Sequence, residues 1–434
     1  MATAKLYYYS QYSKACGAKV LSCTEDKGRW QIVLDASVFY PEGGGQPADT
    51  GILTKYRKLD QNDPLHISFI PFKDDGTGRN FLGLMSVRPT NDCIHDMKEQ
   101  PEVPDFEVHV LDVHEKDGII IHYCDAPLEP GTEVCGQIDW TRRFDHMQQH
   151  SGEHIVSGLI CRHFNCDNVG FHMGKDVVTI DYNADISLED LKPIEDEANA
   201  YIAEGHAFRE GWYSGDKLSS IEYRSKKHID GEVRITQFPG ADCCACCGTH
   251  VRNSVEVRMV KFISAQRFTK GTRIELVCGN RAFDYLSANM EQNTAIAKAM
   301  ATSFDKTYAI YMKQRKELAE AEIRAAELEK LYCAEKAKQF EGAGDVLLFE
   351  EHLSAGGLRN LSQLISEASG GRCAVFEAND GNYKYAIAKQ DEDIRPFVKE
   401  MNKALKGKGG GAASLAQGYA AADEDSIKTF FQSR

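Results

Sequence analysis

Two short pairs, His150 with His154 in HSGEH and Cys246 with His250 in CCGTH, share an i, i+4 spacing that suits metal ligation. On a helix, side chains four residues apart lie on one face with Cβ atoms about 5–6 Å apart, so two imidazoles can reach one ion. The second pair adds a thiolate and a third imidazole. Nitrogen and sulfur donors favour zinc over magnesium or calcium, which prefer oxygen. His146 lies one turn before His150 and is a rival ligand, while Cys243, Cys244 and Cys247 crowd the second pair with further thiols. A chain with 14 His and 14 Cys contains such pairs by chance, so either pair alone is equally an ordinary structural feature. Together they predict one zinc per chain.

The same HSGEH segment fits H-x-x-E-H, a zinc-peptidase signature in which Glu153 would be the general base. A Cys-x3-His second half does not belong to that pattern. A further alternative is a non-catalytic, tRNA-binding protein with a closed structural zinc.

A length of 434 residues permits two to four domains with a sizeable core. No stretch approaches the roughly 18 apolar residues that span a membrane, and the start lacks an apolar signal core. The expectation is a cytoplasmic protein with no membrane partner, whose cysteines are reduced thiols and not a disulfide framework. A formal charge of −14 excludes coating of nucleic acid by bulk electrostatics and leaves only a local patch for RNA.

The elements that must position these residues predict an α+β fold in four parts. Residues 1–141 alternate apolar and polar positions, as in WQIVLDASVFY and DGIIIHYC, which predicts a β-rich, barrel-like domain. Within it FYPEGGGQPADTG forms a tight loop, since glycines permit positive φ and close backbone approach. Residues 142–279 predict a histidine-bearing helix packed on a largely antiparallel sheet, an α+β zinc-binding domain. Residues 280–342 are rich in Ala, Glu, Lys and Leu and predict a long helical hairpin or coiled-coil linker, which could serve as a homodimer seam. Residues 343–434 predict a small α/β domain, and dimerisation through it is a further alternative. Near its end Lys399, Lys403, Lys406 and Lys408 precede Gly409, Gly410 and Gly411. A flexible glycine turn with lysines can admit a phosphate backbone, and a solvated surface loop would look the same.

Taken in order, FYPEGGGQPADTG, DWTRRFDHMQQHSGEHI, CCGTHV and GKGGGAASLAQG resemble the alanyl-tRNA editing proteins. These are free-standing relatives of the editing half of alanyl-tRNA synthetase. The resemblance covers essentially the whole chain and matches the long form, whose C-terminal domain looks like that of the synthetase and of DHH-type phosphoesterases. No adenylate-forming core is expected ahead of the β-rich domain.

The resemblance implies metal ligation by His150, His154, Cys246 and His250. It also implies an amino-acid pocket around the loop, with Gly43, Gly44, Gly45 and Gln46 near the substrate. A hydroxyl residue before the loop reads the mischarged amino acid in that family, and its position falls on Ser37, where threonine is more usual. His172 in GFHMG is a candidate contact or ligand-supporting residue, with a structural histidine as the alternative. The implied activity is ester hydrolysis of mischarged tRNA(Ala), chiefly Ser-tRNA(Ala), with Gly-tRNA(Ala) as a second substrate. Such an activity has a physical rationale: a pocket shaped for alanine rejects an added hydroxyl only about a hundredfold.

Overall fold

The computed structural model describes residues 2–55, 106–225, 231–269, 271–379 and 381–433. Part of the expected β-rich region, 56–105, lies outside the described residues. The chain forms two compact units, Met1–Met290 and Glu291–Arg434.

The first unit opens on a closed six-stranded antiparallel barrel of Ala15–Asp26, Arg29–Leu34, Ile119–Cys124, Glu107–Lys116, Gly51–Lys55 and Glu133–Ile138, in that order around the ring. The period-two patterning reappears as burial. Ile120, His122 and Cys124 point inward from one strand, and Val134 and Ile138 from another. Val20, Ile32, Leu34, Leu53, Val108 and Val113 fill the interior with them.

The barrel leads directly into a helix, Trp140–Phe164, capped by Asp139, whose side chain accepts from the Arg142 N–H. Asn165 ends it in the left-handed region with φ 46°. This helix has no solvent face through its middle: every residue from His146 to Ile160 is buried. It runs between two antiparallel sheets. One consists of Val260–Phe268, Gly271–Cys278, Val178–Tyr182 and Asn168–Met173, the other of Arg209–Tyr213, Val233–Phe238 and Asp242–Ala245. Two helical glycines permit the approach. A Cβ on Gly152 would lie 2.2 Å from Cys278 Sγ, and one on Gly158 would lie 2.1 Å from the Ala241 carbonyl oxygen. Met147, Ile155, Leu159, Ile180, Phe238 and Ile274 belong to the core around it.

A buried ion pair fastens the glycine-rich loop to this helix. Arg143 and Asp49 are both fully buried, with Arg143 Nε donating to Asp49 Oδ1 at 3.0 Å and Nη2 reaching Oδ2. Arg143 Nη2 also donates to the Val38 carbonyl at 2.7 Å, so neither charge is left unmet.

The second unit holds the helix Thr307–Lys338 and a five-stranded sheet ordered Gly344–Glu350, Gly370–Asn379, Asn382–Ala388, Leu415–Ala420 and Lys408–Gly411. Its first pair is parallel and the others are antiparallel. The expected flexible glycine turn is corrected here. Lys408–Gly411 is an edge strand paired with Leu415–Ala420, because glycines at 409 and 411 let two backbones pack where a Cβ would meet Gln417 and Leu415 carbonyl oxygens at 2.4 and 2.2 Å.

Candidate metal centre

The buried helix, the barrel loop and the three-stranded sheet converge on one cluster. His150 and His154 come from the helix, and Cys246 and His250 follow the strand Asp242–Ala245. One ligand atom from each of the four lies within 4.8 Å of every other. Cys246 Sγ is 3.5 Å from His150 Nε2 and 3.6 Å from His250 Nε2. His146 is buried one turn away and stands outside this cluster.

Each imidazole is held by its far nitrogen. His150 Nδ1 pairs with Gln46 Oε1, His154 Nδ1 with Asp242 Oδ2, and His250 Nδ1 with Glu210 Oε1, all at 2.9 Å. An acceptor at each Nδ1 fixes the proton there and turns a lone pair at Nε2 inward, the arrangement that metal-binding histidines use. His154 Nε2 is buried and has no hydrogen-bond partner among the described residues. The supporting acceptors are themselves held. Arg224 donates to both oxygens of Asp242 at 2.8 and 2.7 Å, and Arg234 donates to Glu210 at 2.6 Å and to the carbonyls of Cys246 and Gly248.

Electrostatics favour a thiolate here. Burial alone would raise the Cys246 thiol, but the imidazoles of His150, His250 and His154 overcome it and hold the thiol well below its ordinary range. Burial would likewise depress His154, and the sulfur, Glu153 and Asp242 raise it to about 10 in the metal-free cluster, so a cation that takes the Nε2 lone pair would displace a proton there. In contrast Cys244, buried and facing Asp242, is pushed up beyond the ordinary thiol range. Cys244 does share a smaller group with His154 and Asp242. Cys247 is exposed.

The loop residues divide. Gly43 and Gln46 exchange backbone hydrogen bonds at 3.0 Å around Gly44 and Gly45, whose φ values of 61° and 89° make a turn closed to most other residues. Gly44 lines a cavity of about 350 Å³ beside the cluster, with Tyr40, Glu153, Asn168, Phe171 and Arg224. Gln46 was expected to touch substrate but is fully buried. Its amide oxygen serves His150 and the Thr249 N–H, and its nitrogen donates to Thr249 Oγ1 at 2.9 Å.

Two expected site residues lie away from the cavity lining. Ser37 does not face the cavity: it is fully buried, accepts from the Phe39 N–H at 3.1 Å and pairs with His122 Nε2 at 2.8 Å. Its strand position turns it toward the barrel interior. His172 sits exposed on the strand Asn168–Met173, and the two cavity-lining residues of that strand are Asn168 and Phe171. Sequence reasoning missed Asp242, Glu210 and Asn168, none of which has a motif of its own; an acidic residue heading DCCACC was the one available signal.

A small β-barrel is joined to an α+β layer, with a His3Cys cluster that could hold a metal ion at the junction. No family model matches the chain. A comparison with curated proteins finds it 25% identical to alanyl-tRNA editing protein AlaX-L of Pyrococcus horikoshii, over 98% of this chain and 96% of that one. It is 31% identical to alanyl-tRNA editing protein AlaX-M of Methanosarcina barkeri, over 62% of this chain and 96% of that one. Among solved structures, the C-Ala domain of Aquifex aeolicus alanyl-tRNA synthetase matches 20% of this chain and 87% of that one, with 23% identity and a TM-score of 0.18, too slight to carry an argument. The chain belongs to the alanyl-tRNA editing protein family.

Proposed function

We propose that the protein is a zinc-dependent deacylase that hydrolyses the ester of tRNA(Ala) mischarged with serine, and with glycine as a second substrate. The observation that carries this reading is the orphaned His154 Nε2, buried among three other donors and without a hydrogen-bond partner among the described residues. The donor set fits zinc. Zn–N near 2.0–2.1 Å and Zn–S near 2.3 Å in a tetrahedron separate sulfur and nitrogen by about 3.6 Å, against 3.5 and 3.6 Å here. When bound, the ion would supply Lewis-acid polarisation. His150, His154, Cys246 and His250 hold it, while Gln46, Asp242 and Glu210 orient the three rings. The turn at Gly44 and Gly45 brings backbone to the cavity wall, where the aminoacyl end would lie.

The deciding experiment presents the pure protein with Ser-tRNA, Gly-tRNA and Ala-tRNA, each charged on tRNA(Ala). Serine and glycine should be released well above the spontaneous rate and alanine spared. Release of none overturns the reading. The peptidase alternative gains nothing from this arrangement, since Cys246 and His250 complete the cluster.

Residues 343–434 are assigned to holding tRNA. Lys399, Lys403, Lys406 and Lys408 are all exposed, and a cavity of about 150 Å³ lined by Arg395, Lys399, Asn402 and Gly409–Gly411 lies between the helix Arg395–Ala404 and the edge strand. Deleting 343–434 should raise KM for Ser-tRNA(Ala) and leave kcat largely intact, as expected for loss of uniform binding. An unchanged KM removes tRNA holding from this region. The homodimer reading rests on Leu318, Ile323, Leu328 and Leu331 of the helix Thr307–Lys338, each 60–66% exposed, and sedimentation of the full chain tests it.

A further inference from the structure

The cavity beside the ligand cluster holds polar groups that metal ligation leaves unused. Glu153 Oε1 accepts from Ser157 Oγ and from Asn168 Nδ2, both at 2.7 Å. Ser157 Oγ lies 2.8 Å from the Tyr182 hydroxyl and 2.9 Å from Asn168 Nδ2. Ser157 has one proton and gives it to Glu153, so Tyr182 is the donor in its pair. These bonds also fix the amide of Asn168, because turning it over would set two oxygens 2.7 Å apart.

Two acceptors remain. Asn168 Oδ1 is buried without a donor among the described residues, in a residue only 6% exposed. Glu153 Oε2 has no hydrogen-bond donor among the described residues, and its ionic neighbour is His154 Nε2 at 4.0 Å. Both residues line the cavity, and the arginine of that wall, Arg224, is held at both ends by Asp242.

We propose that Glu153 Oε2 and Asn168 Oδ1 bind the α-ammonium group of the aminoacyl ester, so that the enzyme accepts only esters with a free amino group. The inference rests on the deacylase reading above. An ammonium carries three donors and a positive charge, which match a carboxylate and an amide oxygen together. A serine hydroxyl carries one donor and would leave the second buried acceptor unmet. Glycine, serine and alanine share the ammonium, so this contact selects the class of substrate, aminoacyl rather than peptidyl esters, and does not sort one amino acid from another.

The test compares Ser-tRNA(Ala) with N-acetyl-Ser-tRNA(Ala) on the zinc-loaded full chain. Wild type should lose at least about 100-fold in kcat/KM on the acetylated substrate, since a site left with unpaired buried polar groups can reject a ligand by as much as about 10⁴-fold to 10⁵-fold. Glu153→Gln, whose amide oxygen can still face Ser157 and Asn168, turns a donor toward the cavity. It should raise KM for Ser-tRNA(Ala) by about 10-fold or more, keep kcat within about tenfold, and shrink the preference for the free amino group. Asn168→Ala should shift the same ratio in the same direction, with zinc content and melting temperature checked in both variants. Equal hydrolysis of both substrates by wild type overturns the inference and leaves the deacylase reading standing, whereas hydrolysis of neither removes that reading itself. A fall of 10²-fold or more in kcat for Glu153→Gln, with KM and the substrate ratio unmoved, would assign Glu153 to general-base chemistry instead. A changed serine-to-glycine ratio with an unchanged acetyl ratio would assign the pair to the hydroxyl.

Discussion

The barrel interior and the helix–sheet junction both bury imidazoles, and they complete them differently. In the barrel, His122 is fully buried, its Nδ1 lies 3.0 Å from the Ile32 carbonyl and its Nε2 is 2.8 Å from Ser37 Oγ. The carbonyl fixes the proton at Nδ1, Ser37 donates to Nε2, and the neutral ring is satisfied entirely by the chain. At the junction, Gln46, Asp242 and Glu210 satisfy one nitrogen of each ring, and the other nitrogens converge on the Cys246 sulfur, with His154 Nε2 lacking a hydrogen-bond partner among the described residues. Burial of a histidine is therefore no sign of function; an unmet lone pair on a ring whose other end is fixed is one.

The largest effect that could break this contrast is loss of the metal. Cys246→Ala combined with His250→Ala should drop zinc from about one per chain to nearly none in elemental analysis, since a tetrahedral site stripped of two donors does not hold its ion. Full zinc in that variant would mean that Cys243 or Cys244 supplies the donors and that the inward lone pairs are misread.

Acid should discriminate the two regions next. Burial pushes the His122 imidazole down to about 4 from 6.5, so the unfolded chain takes up that proton first as pH falls. Its share of stability is complete above about pH 6.5 and is lost progressively toward pH 4, amounting to about 3 kcal/mol over that window. Urea unfolding at pH 7.5 and 4.5 should show this loss in wild type and a reduced loss in His122→Asn. The same pH slope in both would place the barrel's acid sensitivity elsewhere.

The outer acceptors should give the smallest change. Asp242→Ala removes the partner of His154 Nδ1 and should weaken zinc binding about 10-fold to 100-fold in a chelator competition, the range for residues that orient metal ligands. Ser37→Ala strands His122 Nε2 instead and should cost about 1–3 kcal/mol of folding stability with zinc affinity unmoved. If Ser37→Ala weakens zinc as much as Asp242→Ala does, the two regions are not independent.

Much of the site was legible because ligands carry their chemistry in their residue type. The i, i+4 pairs at 150/154 and 246/250 required only helical geometry or a tight turn to bring each pair together, and alternation across the barrel strands announced their inward faces. Ser37 and His172 were misplaced for a common reason. Proximity in sequence to a glycine loop or a strand end does not fix which face a side chain takes, and a shift of one residue on a strand reverses it. The lysine and glycine run near the C-terminus read as a turn because the signal of glycine is permissiveness, which an edge strand with close backbones uses equally well.

The sequence by itself determined the donor set, the amphipathic pattern of the barrel and the balance of strand and helix, since each depends on residue type and local spacing. Tertiary structure alone decided which nitrogen of each histidine faces inward, that Gln46 crosses 203 positions of chain to reach Thr249, and that Asn168 Oδ1 is left without a donor among the described residues in the same wall as Glu153. A side chain's hydrogen-bonding ends are fixed by whatever packs against them. In this fold those neighbours come from the barrel loop, the buried helix and two sheets, and only folding brings them into contact.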